Sequence, residues 1–171
     1  MYKKGEHIMY SYYGGCVIED IMEKKLGKIS KMYYILRPIN DSRSTITTPV
    51  DNKKVRMRAI ISPKEANCII ESLDSLDVLW IENQKVRFLE YKKTIKAGEA
   101  RELAGLVKVL FQKQMELSQA GRRFSASDAT LLDDSEKLLY TELSVALGLD
   151  VKELKKQVTE KIKNSTVKAA D

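Results

Sequence analysis

The spacing of apolar residues changes at Ser62, and that change restricts the possible folds more than any other feature of the chain. Before it, short apolar runs alternate with turn signals. Lys4-Gly5-Glu6 turns into His7-Ile8-Met9-Tyr10, and Gly14-Gly15 interrupts the chain before Cys16-Val17-Ile18-Glu19-Asp20-Ile21. Gly27 is expected in a hairpin between Met22-Glu23-Lys24 and the strand Met32-Tyr33-Tyr34-Ile35-Leu36. The polar loop at 40–44 precedes Thr45-Ile46-Thr47-Thr48-Pro49-Val50. Asp51-Asn52 turns before Val55-Arg56-Met57-Arg58-Ala59-Ile60-Ile61. Short strands at this turn density, with no helical period, predict a small antiparallel β-barrel over residues 1–61.

From Ser62 onward the spacing is three and four. Ser62-Pro63-Lys64-Glu65 has a capping serine, a proline suited to a first helical turn and a glutamate at capping-box distance. Its helix carries Ala66, Ile69, Ile70 and Leu73, and Asp74-Ser75-Leu76-Asp77 is a junction, so 62–76 reads as helix plus connector. A helical domain is expected over 77–164. Its first helix is predicted to run from about 79 to 96 and stop at Gly98. The second carries Leu103, Leu106, Val107, Leu110 and Phe111, and fades at 119–121. Ser125 to Asp128 opens a third that ends at Gly148. A last helix is apolar at Val151, Leu154, Val158 and Ile162, and 165–171 is expected to be a disordered tail. The class is α+β: a small β-barrel followed by an all-α domain.

Charge indicates what kind of partner suits the helical part. The whole chain carries a formal +6, and residues 85–123 hold ten cations against four anions, so the excess lies in that stretch. Lys85, Lys92 and Lys96 are spaced seven and four apart and share a helix face. Such a face can follow a phosphate backbone through counterion release, or be merely solvated. Trp80, the single tryptophan, precedes them. It can act as an apolar wedge at a base step, or pack between helices or domains.

Chemistry is sparse. There is one histidine, His7, and no GxSxG, HExxH, phosphate-binding or dinucleotide-binding glycine pattern. Asp133 and Asp134 are adjacent in a helix, so they point about 100° apart and make no carboxylate pair. Cys16 and Cys68 lie among apolar residues without metal-ligand spacing, and both are read as buried thiols. No enzyme, metal or cofactor is expected. The opening residues lack a signal peptide and no run suits a membrane span, which predicts a cytoplasmic protein with no membrane contact.

Several segments in order carry a resemblance. Lys4-Gly5-Glu6 through Tyr10 and Gly14, with Ser11 where proline is usual, is followed by Tyr33-Tyr34-Ile35-Leu36. Then come Thr48-Pro49-Val50 and Val55-Arg56-Met57-Arg58. Arg87, Ile95-Lys96-Ala97-Gly98-Glu99, Ser125 to Asp128, Leu131 and Glu142-Leu143 complete the set. This pattern resembles the CarD/CdnL family, whose first module is related to the polymerase-interacting domain of the transcription-repair coupling factor. The resemblance implies a Tudor-like barrel that docks on the β subunit of bacterial RNA polymerase, with Lys24, Thr47 and Arg58 at polymerase-facing positions. Lys24 and Thr47 replace arginines of the family.

It also implies that the helical domain contacts promoter DNA at the upstream bubble edge, modulating the open complex, with little sequence specificity. Lys85, Arg87, Lys92 and Arg122 would lie near phosphates. The family's wedge tryptophan aligns with Gln84, while Trp80 stands four residues earlier, one turn along a helix there. A monomer is the default expectation, associated with the nucleoid through polymerase. The alternative is an adaptor whose helical domain does not engage DNA.

Overall fold

The computed structural model describes residues 1–26 and 29–168. Gly27, the expected hairpin glycine, lies outside the described residues. The chain divides into two compact units, Met1–Ile60 and Ile61–Asp171.

The first unit is a five-stranded antiparallel sheet of β1 (His7–Tyr10), β2 (Gly14–Leu26), β3 (Ile29–Pro38), β4 (Ile46–Pro49) and β5 (Met57–Ala59). Its order is β4-β3-β2-β1-β5. Among the described residues β4 and β5 are the two edges and do not pair with each other, so hydrogen bonds do not close the barrel. One core nonetheless draws on all the central strands: Ile8, Tyr10, Cys16, Ile18, Tyr34 and Leu36, edged by Ile21, Ile46, Val50, Val55 and Met57.

The inward positions of β2 run 16, 18 and then 21, which breaks the alternation of a regular strand. The register explains it. Ile18 pairs with Leu36 and Asp20 with Ile35, so Glu19 is the extra residue of a bulge. The bulge resets the face on which later side chains emerge, and Glu19 forms an ion pair with Arg37 on the neighbouring strand. Burial pushes the Cys16 thiol up to about 11, so this thiol stays protonated and inert. Cys68, by contrast, is exposed on the first helix, contrary to the expectation that both thiols are buried.

Between β1 and β2 the chain makes a 3₁₀ turn at Ser11–Tyr13. Ser11 has φ 43° and donates its backbone N–H to the Arg56 carbonyl at 2.9 Å. A proline there would have neither that φ nor that donor. This accounts for the serine.

The second unit holds α1 (Pro63–Glu71), α2 (Gln84–Ala97), α3 (Ala100–Gln119), α4 (Ala126–Leu147) and α5 (Val151–Lys168). Ser62 and Glu65 form the reciprocal capping box expected of them. Those hydrogen bonds hold the Glu65 carboxyl below its ordinary value. Leu103, Leu106 and Leu110 of α3 are fully buried, as are Leu131, Leu138, Leu139 and Leu143 of α4 and Leu154 of α5. α5 continues through 165–168, where a disordered tail was expected; 169–171 lie outside the described residues.

A larger difference precedes α2. Residues 76–83 are neither helix nor strand, so the helix expected from about 79 begins at Gln84 instead. Asn83 caps it, its side chain accepting from the Lys85 and Val86 backbone N–H groups. The run before it is an extended strap held by packing. Lys108 of α3 donates to the Asp74 and Leu76 carbonyls, both at 2.9 Å. Val78 sits against Gly105, where a Cβ would come within 2.6 Å of a Val78 methyl. The Tyr91 hydroxyl donates to the Leu79 carbonyl at 2.8 Å. Trp80 is therefore on the strap, not one turn earlier on the same helix.

Candidate nucleic-acid interface and sheet face

In the β unit, the register shows where the three polymerase-position residues lie. Lys24 pairs with Lys31 on β3, Thr47 with Ile35, and Arg58 with Met9. Ile8, Tyr10, Tyr34 and Leu36 point into the core, so Met9, Tyr33, Ile35 and their cross-strand partners emerge on the opposite face. Lys24, Thr47 and Arg58 thus share one sheet face. They are not clustered, because Thr47 and Arg58 stand on opposite edge strands and Lys24 lies far along the β2–β3 arm.

Local contacts temper the charges of this face. Lys24 and Lys31 are like charges set opposite each other, which is unfavourable across strands. Lys24 turns over the Tyr33 ring, 5.8 Å from its centroid, and Lys31 pairs with Asp51 at 3.5 Å. Arg58 donates to the Ala59 carbonyl at 3.1 Å. Met22 is exposed on the same face, beside partly buried Tyr33. The face is an apolar patch bordered by cations.

In the helical unit, Arg87 does not point to solvent. It is 5% exposed, and its guanidinium makes a two-pronged bridge to Asp128 on α4, both bonds at 2.8 Å. Its remaining nitrogen donates to the carbonyls of Ile81, at 2.6 Å, and Glu82, at 3.1 Å. Burial by itself would raise the Asp128 carboxyl. The Arg87 and Ser125 hydrogen bonds and the Arg87 charge overcome that and hold it below its ordinary value. Ser125 caps α4 by accepting from the Asp128 N–H at 3.1 Å, and donates its hydroxyl to the carboxylate at 2.6 Å. All three guanidinium nitrogens have internal partners and the side chain is buried, so Arg87 is directed into the protein and not at a phosphate.

Trp80 completes this cluster. The Arg87 guanidinium carbon lies 4.0 Å from the ring centroid and the Lys113 ammonium 5.4 Å. The indole thus joins the strap to α2 and α3 through two cation–π contacts. Leu79 is the large apolar side chain that projects from the strap, 85% exposed, with its own carbonyl accepting from Tyr91.

The outer side of α2 presents Lys85, Val86, Leu89, Lys93 and Lys96. Lys92 is half-buried, paired with Asp134 at 2.6 Å and 5.7 Å from the Phe88 ring centroid. Arg122 is exposed in the α3–α4 connection, beside Arg123. Gln84 donates its amide to the Ser127 hydroxyl oxygen at 2.8 Å. Gln84, Lys85, Phe88, Leu89 and Ser127 line a groove of about 490 Å³. So the structure brings Gln84 and Lys85 together, with Lys92 close by through Phe88, while Arg87 and Trp80 belong to the inner cluster.

Sequence reasoning did not select Leu79, Asp128, Phe88, Leu89 or Ser127. Only the capping spacing from Ser125 to Asp128 offered a signal, and it did not reveal the partner on α2. Among the described residues no group of His, Cys, Asp and Glu side chains is arranged to hold a metal ion, and no helix is long and apolar enough to cross a membrane.

Residues 2–61 match the CarD-like/TRCF RID domain and residues 69–159 match the CarD C-terminal domain. The chain is 28% identical over 160 residues to YdeB of Bacillus subtilis (strain 168), whose name describes a candidate transcription factor. That alignment covers 91% of this chain and 98% of YdeB. Two CarD modules in this order account for most of the residues, and the chain belongs to the CarD/CdnL family of transcription regulators.

Proposed function

We propose that the protein binds the β subunit of bacterial RNA polymerase through its sheet face and promoter DNA, near the upstream bubble edge, through its helical unit. Lys24, Thr47 and Arg58 lie on the polymerase side. Lys85, Lys92 and Arg122 approach phosphates, with Gln84 at the groove. Arg87 serves by holding the strap, and Trp80 by stacking on Arg87. The regulator acts as a monomer at the nucleoid, brought there by polymerase.

One observation carries the DNA assignment: exposed lysines stand beside exposed apolar side chains on the outer face of α2, in a chain whose excess charge is confined to that region. Phosphate contacts carry no base information, so binding by the isolated protein is sequence-tolerant. The regulator shifts the closed–open equilibrium by the difference in its affinity for the two states; about 1.4 kcal/mol of difference is a tenfold shift.

Open-complex lifetime on a bacterial promoter with cognate polymerase tests this. Wild type is expected to change the lifetime, and Lys24→Glu and Lys85→Glu to weaken the effect. An unchanged lifetime with polymerase still bound would refute the mechanism. A second reading, an adaptor that leaves DNA alone, is favoured by the inward placement of Trp80 and Arg87. DNA affinity that is absent, or flat between ~50 and ~200 mM salt, would select it, since phosphate binding must weaken with salt.

A further inference from the structure

Helix α4 sets a carboxylate against each of two cations of α2, and the two pairs differ in how far water reaches them. Arg87 and Asp128 are sealed, with side chains 6% and 4% exposed. Lys92 donates to Asp134 at 2.6 Å, with side chains 38% and 37% exposed. The first pair is out of reach of an outside anion. The second stands at the surface, on the helix face that also carries exposed Lys85 and Lys96, seven residues before and four after. Those two lysines have no carboxylate partner among the described residues. The Lys92 ammonium is held from two sides, by the Asp134 carboxylate and by the Phe88 ring, 5.7 Å from its centroid.

A lysine strengthens phosphate binding by neutralising a phosphate and so releasing a condensed counterion. Lys92 cannot do this while Asp134 balances its charge. A phosphate brought to the ammonium also meets a carboxylate within hydrogen-bond distance of it, and like charges repel. Asp134 thus competes for the place of the phosphate. The sign of its effect separates this from a purely structural tie between α2 and α4. Loss of a tie weakens binding, whereas loss of a competitor strengthens it.

We infer that Asp134 is an autoinhibitory residue: it holds Lys92 back from the phosphate backbone, so that α2 engages DNA with fewer cations than it carries. This rests on the DNA-binding reading above and adds a residue that limits the affinity.

Fluorescence anisotropy of the full chain on a labelled duplex of arbitrary sequence, from ~50 to ~200 mM salt, tests it. Asp134→Asn keeps the size of the side chain and removes its charge. It is expected to bind about two- to fivefold tighter at low salt, the fold-change gained when a half-exposed ion pair no longer has to be broken. The plot of log affinity against log salt should steepen by about 0.9, one more phosphate neutralised. Asp133→Asn is the control. Asp133 is exposed, points about 100° away around the helix and has no cation partner among the described residues. Its substitution removes the same charge and releases no lysine, so the slope should stay that of wild type. In a Lys92→Gln background Asp134→Asn should leave the slope unchanged, because no ammonium remains to be freed.

A slope and affinity for Asp134→Asn equal to wild type overturn the inference. So does a gain that Asp133→Asn matches or that survives Lys92→Gln, since net charge alone then accounts for it. Weaker binding by Asp134→Asn makes the pair a structural tie and overturns the inference as well. In each of these cases the DNA reading stands. If wild type binds no duplex and Asp134→Asn does, the inhibition is complete and the inference is upheld. Binding by neither protein removes the DNA reading and this inference together.

Discussion

Arg87 and Trp80 show how a residue can be noticed in a sequence while its surroundings stay open. Arg87 stands among cations, and Trp80 among apolar neighbours that leave a wedge and a packed residue equally readable. Their direction is set by Asp128, 41 residues from Arg87, and no local pattern reports that partner. The buried bridge gives two predictions. Asp128→Ala leaves the guanidinium buried without its counter-charge, which costs about 3–5 kcal/mol. Urea unfolding followed through Trp80, the only tryptophan, should show the loss directly. Asp128→Asn tests the pH dependence. The Asp128 carboxyl is held below its ordinary value in the fold. Its stabilising contribution is therefore complete above the unfolded value, about 3.9, and is lost as pH falls through the lower folded value. Acid unfolding of Asp128→Asn should lack that component, and equal acid sensitivity in both proteins would refute the assignment.

At the scale of elements, the helices with long apolar periods were legible, and so was the capping box at Ser62. The strap was not. Val78-Leu79-Trp80-Ile81 is an apolar run of the kind that fits a helix, a strand or a packed segment. Tertiary contacts with Gly105, Lys108, Tyr91 and Arg87 decide among these, and each contact comes from another part of the chain. Gly105→Ala puts a methyl within 2.6 Å of Val78. It should destabilise by about 1–3 kcal/mol as an overpacked contact. Val78→Ala on the same chain should recover part of the loss. If the two substitutions merely add, the strap does not pack as described. In the β unit the bulge at Glu19 was hidden for the same reason: an extra residue in one strand is defined only by the register of its partner. Ser11 gives a local test. Ser11→Pro removes the N–H donated to Arg56 and cannot adopt φ 43°. It should destabilise by more than about 1 kcal/mol, seen as a lower thermal midpoint.

For the whole molecule, the change of period at Ser62 made the α+β class legible, because strand and helix periods cannot share one pattern. The charge excess pointed to the helical part, but which cations stay exposed depended on pairings such as Lys92 with Asp134. The proposed division of labour predicts different failures for the two units. If the sheet face anchors the protein to polymerase, Lys24→Glu weakens occupancy, and a higher protein concentration should restore the full change in open-complex lifetime. If the α2 face supplies the difference in affinity between closed and open states, Lys85→Glu reduces that difference, and no concentration restores the plateau, since a ligand shifts an equilibrium only by its differential affinity. A concentration series for each variant separates the two effects. Plateaus lowered equally by both substitutions would mean that the sheet face also senses the state of the promoter, and that anchoring and biasing are not divided between the units.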